Sequence, residues 1–162
     1  MDINTKLNCK WNLWYHHEKE NWKISGFKKI YEIETIKDFW RLHNNWNKIK
    51  GVNSKHFFLM REDIEPIWED PKNINGGCWS YQVHEEQAEN LWNDLAAYLV
   101  CEQIINNPDE VTGLSISLKK NNYSVIKIWN TDTKNNSLSL INKNIIKKWG
   151  TDIIYIVHMS EV

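Results

Sequence analysis

The sequence predicts an α+β fold: a twisted, mostly antiparallel sheet with three one-sided helices packed on one of its faces. Two observations carry this. Seven stretches alternate apolar and polar residues with period 2, and three stretches of helical period lie between them. With 162 residues, no internal repeat and no linker-like composition, residues 1–162 read as a single domain with room for a substantial core.

The strand stretches are Trp11–Tyr15, Phe27–Ile33, His56–Arg61, Gly77–Val83, Val111–Leu118, Tyr123–Trp129 and Asp152–His158. The first helix should begin after Thr35, an N-cap with Asp38 three residues on as capping-box acid, and stop near Gly51. The second runs from about Glu85 to Ile105, with Ala88, Leu91, Trp92, Leu95 and Leu99 on one face. The third starts around Asn136, places Leu138, Ile141, Ile145 and Trp149 on one face, and ends with Lys147 and Lys148 before Gly150. One-sided helices cover only one face of the sheet, so the opposite face is left for a ligand.

Composition excludes several classes. A net charge of −1 argues against a protein that coats long stretches of nucleic acid, while leaving room to read one or two nucleotides with a few placed cations. The three cysteines, Cys9, Cys78 and Cys101, are odd in number and lack C-x-x-C spacing, which speaks against a disulfide framework or a zinc site and for a reducing, cytoplasmic setting. A polar start and no 18-residue apolar run predict no signal peptide and no membrane span. Heavy use of Asn, Ile and Lys fits an AT-rich genome, such as that of a large DNA virus or a protist.

Ten tryptophans exceed ordinary core needs. At roughly 100° per residue, Phe39, Leu42, Trp46 and Ile49 share the buried face of the first helix, whereas Trp40, with Ile36 beside it, lies well off that face. An off-stripe ring suggests a partner surface, unless the helix is sandwiched. Trp22 lies in the polar stretch from His16 to Lys23. Trp68 lies in a loop, Asp63 to Pro71, with two prolines and four acids. Either ring alone could fold back on the core; two together could form a slot for a flat ligand.

These tryptophans fall in register with a known pattern. The stretch Trp11-Asn12-Leu13-Trp14-Tyr15, then Asp38-Phe39-Trp40, then Ile64-Glu65-Pro66-Ile67-Trp68-Glu69-Asp70 with Asn73 and Gly76-Gly77-Cys78-Trp79, and finally Ile126-Lys127-Ile128-Trp129, resembles the eukaryotic translation initiation factor 4E family from Trp11 to about Met159. The resemblance implies a curved sheet of about eight strands with three helices on its convex face and the 7-methylguanosine cap of messenger RNA on its concave side. It implies that Trp22 and Trp68 sandwich the methylated base, that Glu69 accepts its N1–H and N2–H, that the Trp68 backbone N–H donates to O6, and that Trp129 touches the methyl. Lys119 aligns with a family arginine on the phosphates, and Lys120 is adjacent. Cys78 and Val125 stand where basic residues are usual; Lys127 or a loop lysine is the substitute.

By the same resemblance, Trp40 with Ile36, Asp94 and Ala97 would receive the short helical motif of a translation scaffold or repressor. There are departures here too: Thr5-Lys6-Leu7 replaces a His-Pro-Leu segment, and Asn93 and Ala97 replace larger apolar residues. Because the chain ends at Val162, a tail-borne loop over the cap is expected to be absent. The function implied is cap binding with scaffold recruitment by a monomer, without cofactor, metal or membrane. The alternatives are a cap-binding repressor and a cap-processing enzyme. No H-E-x-x-H, glycine-rich phosphate loop or nucleophile elbow favours the enzyme, and Asp63, Glu65, Glu69 and Asp70 are the one candidate metal cluster.

Overall fold

A computed structural model describes residues 2–50, 56–118 and 121–158. Seven strands form one sheet: β1 (Lys6–His16), β2 (Phe27–Thr35), β3 (His56–Arg61), β4 (Gly77–His84), β5 (Val111–Leu118), β6 (Tyr123–Asn130) and β7 (Ile153–Val157). Their order is β2-β1-β3-β5-β6-β4-β7, and every neighbouring pair is antiparallel. The described residues thus hold seven of the about eight strands that the resemblance implies, at the seven stretches read from periodicity.

The helical segments differ more. The first splits into α1 (Ile36–Asn44) and α2 (Trp46–Lys50). The break at Asn45 has a local cause: its side-chain amide donates to the Arg41 carbonyl at 2.7 Å, competing with the helix's own bonds. Gly51, the expected stop, lies outside the described residues, as does the side chain of Ile49. The Thr35 capping box forms as expected, with Oγ1 accepting from Asp38 N at 3.2 Å and Asp38 Oδ2 accepting from Thr35 N at 3.0 Å.

α3 (Glu85–Val100) stops short of Ile105. Glu102 takes a left-handed conformation, φ 59°, and the Gln103 N–H reaches back to the Tyr98 carbonyl at 2.8 Å. Glycine usually holds that position; here Arg61 holds Glu102 instead, through two bonds of 2.7 and 2.6 Å. The third helix also starts late. A 3₁₀ turn (Leu138–Leu140) comes first, Ile141 bridges to Ile105, and Asn142 caps α4 (Lys143–Trp149) by accepting from Asn144 N at 2.9 Å. Gly150, at φ 84°, ends it as expected.

Strand alternation sorts residues to two apolar layers. Trp11, Leu13, Ile33, Leu59, Trp79, Leu114, Ile126 and Ile128 pack beneath the helices with Phe39, Trp46, Leu91, Trp92 and Leu95. The open face carries a smaller cluster of Phe27, Phe58, Met60, Ile64, Cys78 and Trp129. This second layer is the floor of a cavity.

Candidate ligand slot on the open face

The cavity measures about 550 Å³, and its walls include Trp22, Trp68, Glu69, Trp129, Lys127, Cys78, His56, Ser115, Ser117, Ile156 and His158. Four residues picked from sequence therefore converge on one space: Trp22, Trp68, Glu69 and Trp129. Lys119 and Lys120 lie outside the described residues.

Trp22 is placed by the turn that joins β1 to β2. Asn21 organises that turn: its side chain donates to Glu18 Oε2 at 2.9 Å and Ser25 Oγ at 3.0 Å and accepts from Lys23 N at 3.1 Å. Gly26 is required beneath it, because a Cβ there would come within 1.9 Å of the Asn21 carbonyl oxygen. The Trp22 ring stays 51% exposed. It stacks on His16, with centroids 3.8 Å apart and planes at 11°, and meets His56 edge-on at 5.3 Å. His16 is itself 5% exposed and 2.6 Å from the Asn21 carbonyl oxygen through Nε2, so the ring rests on a fixed support.

Trp68 sits on the loop between β3 and β4. That loop is not a solvated acidic run, since Asp70 is its buried organiser. Its carboxylate accepts from Glu65 N and Lys72 N, each at 2.9 Å, and its carbonyl accepts from Asn73 N and Ile74 N. Asn73, fully buried, donates to the Glu65 and Ile67 carbonyls at 3.3 and 2.9 Å. The loop so closed presents Trp68, 40% exposed, and the exposed Glu69 to the cavity. No group of three or more His, Cys, Asp and Glu among the described residues could hold a metal.

Trp129 is the floor. It is 7% exposed, donates from Nε1 to Ser115 Oγ at 3.0 Å, meets Phe58 edge-on at 6.0 Å and lies tilted against His158 at 4.5 Å. His158 Nε2 is buried without a hydrogen-bond partner among the described residues. Burial, reinforced by the Lys127 charge, lowers its pKa to about 4, so the ring is neutral at physiological pH. Burial likewise pushes the Cys78 thiol up to about 11. His16, His56, Ser115, Ser117 and His158 were not singled out from sequence. The alternation that put Trp129 on the open face also puts Lys127 there, and across the register Ser115 and Ser117; the signal was present but unused.

On the helix-covered side, Trp40 is 48% exposed and meets Phe39 and His43 edge-on at 5.5 and 5.2 Å. Ile36 beside it is half-buried, as are Asp94 and Ala97 on α3. Asp94 is less available than its outward position suggests: Oδ2 accepts from Trp149 Nε1 at 3.0 Å and pairs with Lys148 Nζ at 2.6 Å.

Known proteins share this fold. Residues 6–160 match the family model described as eukaryotic initiation factor 4E. The chain is 32% identical to the eukaryotic translation initiation factor isoform 4E of Arabidopsis thaliana, over 89% of this chain and 74% of the plant protein. It is 29% identical to the eukaryotic translation initiation factor 4E of Eremothecium gossypii, over 86% of this chain and 69% of that one. A solved complex of C. elegans eIF4E-3 with the 4E-binding protein Mextli and a cap analog superposes with a TM-score of 0.80 at 27% identity, covering 94% of this chain and 92% of that one. With nearly its whole length matched in sequence and fold, the chain belongs to the eukaryotic initiation factor 4E family.

Proposed function

We propose that the protein binds the 7-methylguanosine cap of messenger RNA in the open-face slot and recruits a translation-initiation scaffold through its helix-covered face. It would act in the cytoplasm as one monomeric cap-binding domain, without cofactor and without catalysing a reaction. The observation that carries the reading is the convergence of two half-exposed tryptophans, a carboxylate and a floor tryptophan on one cavity. Methylation at N7 makes guanine a delocalised cation, so faces of Trp22 and Trp68 gain a cation–π term over plain stacking. Glu69, next to Trp68 and exposed, can accept the N1–H and N2–H pair, which adenine does not offer. Trp129 would meet the methyl, and Lys119 and Lys120 the outer phosphates. That a C. elegans relative of the same fold was solved with a cap analog supports the cap-binding reading.

Trp22→Ala and Trp68→Ala should each weaken binding of 7-methyl-GTP by about 1–3 kcal/mol, and tryptophan fluorescence should quench on binding. Unchanged affinity in both variants, with no quenching, refutes the sandwich.

Trp40, with Ile36, Asp94 and Ala97, is the surface proposed for the scaffold's helical motif. One observation favours a second reading, a cap-binding repressor: Asp94 is already engaged by Trp149 and Lys148, which leaves less acid for a partner's basic residue. A pull-down of the scaffold's helical peptide on cap resin separates the two, since a repressor of this kind would not retain it.

A further inference from the structure

We propose that Lys127 is the anion contact of the slot and holds the phosphate nearest the ribose of the bound nucleotide, an assignment that rests on the cap-binding reading above. Four observations lead to it. First, position: Lys127 stands two residues from Trp129 on β6, so both side chains rise from the open face, and both line the cavity. Two residues of strand span about 7 Å, so a base seated over Trp129 would carry its first phosphate into reach of a lysine side chain.

Second, the neighbours are neutral. Across the strand register Lys127 is flanked by Ser80 on β4 and Ser115 on β5. The titratable groups that feel its charge from the surrounding strands are Cys78, whose burial keeps it a thiol, and His158, whose burial keeps it uncharged. Third, no ion pair of Lys127 forms among the described residues. A half-buried ammonium with no ion-pair partner among the described residues is available to an anion that a ligand brings.

Fourth, the slot is polarised. Glu69 offers negative charge for the base, while the floor offers Lys127 together with the hydroxyl of Ser117, itself 2.8 Å from His56 Nδ1. A ligand with a cationic ring and an anionic tail matches that polarity; a neutral nucleoside uses only half of it.

The test uses the full chain and three ligands: 7-methylguanosine, 7-methyl-GMP and 7-methyl-GTP, titrated by tryptophan fluorescence at several salt concentrations. Lys127→Met keeps the length of the side chain and removes the charge; Lys127→Arg keeps the charge. The Met variant should bind both phosphorylated ligands about 10–100-fold more weakly, the ratio that a hydrogen bond to a charged group represents. It should bind the nucleoside as wild type does, and its salt slope for 7-methyl-GTP should flatten by about one contact's worth. The Arg variant should recover most of the affinity. Equal loss for nucleoside and nucleotide, or undiminished binding of 7-methyl-GMP, overturns the assignment and leaves the cap reading standing. Wild-type protein that binds 7-methylguanosine no better than guanosine overturns the cap reading itself, and this assignment with it.

Discussion

Two tryptophans six residues apart, Trp40 and Trp46, should have opposite consequences when truncated. Trp46 is 3% exposed, stacks on Trp92 at 5.2 Å with planes at 26°, and meets Phe57 edge-on at 5.1 Å. A buried tryptophan removes roughly 150–250 Å² from water, worth about 4–6 kcal/mol at about 25 cal/mol per Å², an upper figure because the unfolded chain is not fully extended. Trp46→Ala should therefore destabilise by about 3–5 kcal/mol, in line with other large-to-small core changes. For a chain of this size that lowers the melting temperature by about 6–20 °C. Trp40 is 48% exposed and meets Phe39 and His43 edge-on within its own helix. Trp40→Ala leaves no cavity beneath the helices, so its melting temperature should stay within about 4 °C of wild type, the shift that 1 kcal/mol produces. The assay pairs thermal melts with retention of a scaffold peptide on 7-methyl-GTP resin. Trp40→Ala should lose the peptide and keep the resin. If it melts as early as Trp46→Ala, the ring is part of the core and the partner surface lies elsewhere.

Two further outcomes test the open face. Glu69→Gln keeps the shape of the side chain but turns an amide donor towards the guanine donors, and should weaken 7-methyl-GTP binding by about 1.5–3 kcal/mol; a wild-type titration curve refutes the role. His158, whose folded pKa is depressed to about 4 by burial and by Lys127, ties stability to pH. The native state disfavours its protonation, so its contribution is complete above the ordinary histidine pKa of about 6.5 and is lost progressively as pH falls towards about 4. Replacing it with phenylalanine should flatten the fall in urea midpoint between pH 7 and pH 5; parallel curves for both proteins would show that this ring does not titrate as described.

The strands were legible because alternation survives wherever one face is buried and the other is not. His56–Arg61 and Val111–Leu118 match to the residue, and the remaining strands differ only at their ends. Strand order was not legible, since β5 inserts between β3 and β6 through pairings that no local pattern encodes. The helix ends failed where a distant residue decided them. Glu102 turns the chain after α3 because Arg61, on β3, holds its carboxylate, and a glutamate carries no stop signal of its own. Trp46 was assigned to the buried face of a continuous helix. It reaches that face although the helix breaks at Asn45, and its ring stacks on Trp92.

The site was legible by a different route. Loop chemistry drew attention to Trp22 and Trp68 as a possible slot, and the family resemblance to Glu69 and Trp129, but neither said what holds them. The structure supplies that second layer, and it is polar and local. Asp70 and Asn73 close the loop behind Trp68 through backbone hydrogen bonds, and Asn21 closes the turn behind Trp22 while His16 backs its ring. An exposed tryptophan on a free loop would have to be ordered when a ligand arrives, and that loss of freedom would be subtracted from affinity. Here the backbone of both loops is already fixed, so stacking energy can go into binding. This also explains why buried Asp70 and exposed Glu69, adjacent and chemically alike, divide the work. Asp70 spends its acceptors on the chain's own N–H groups, and Glu69 keeps its acceptors turned to the slot, where a base with two donors can use them.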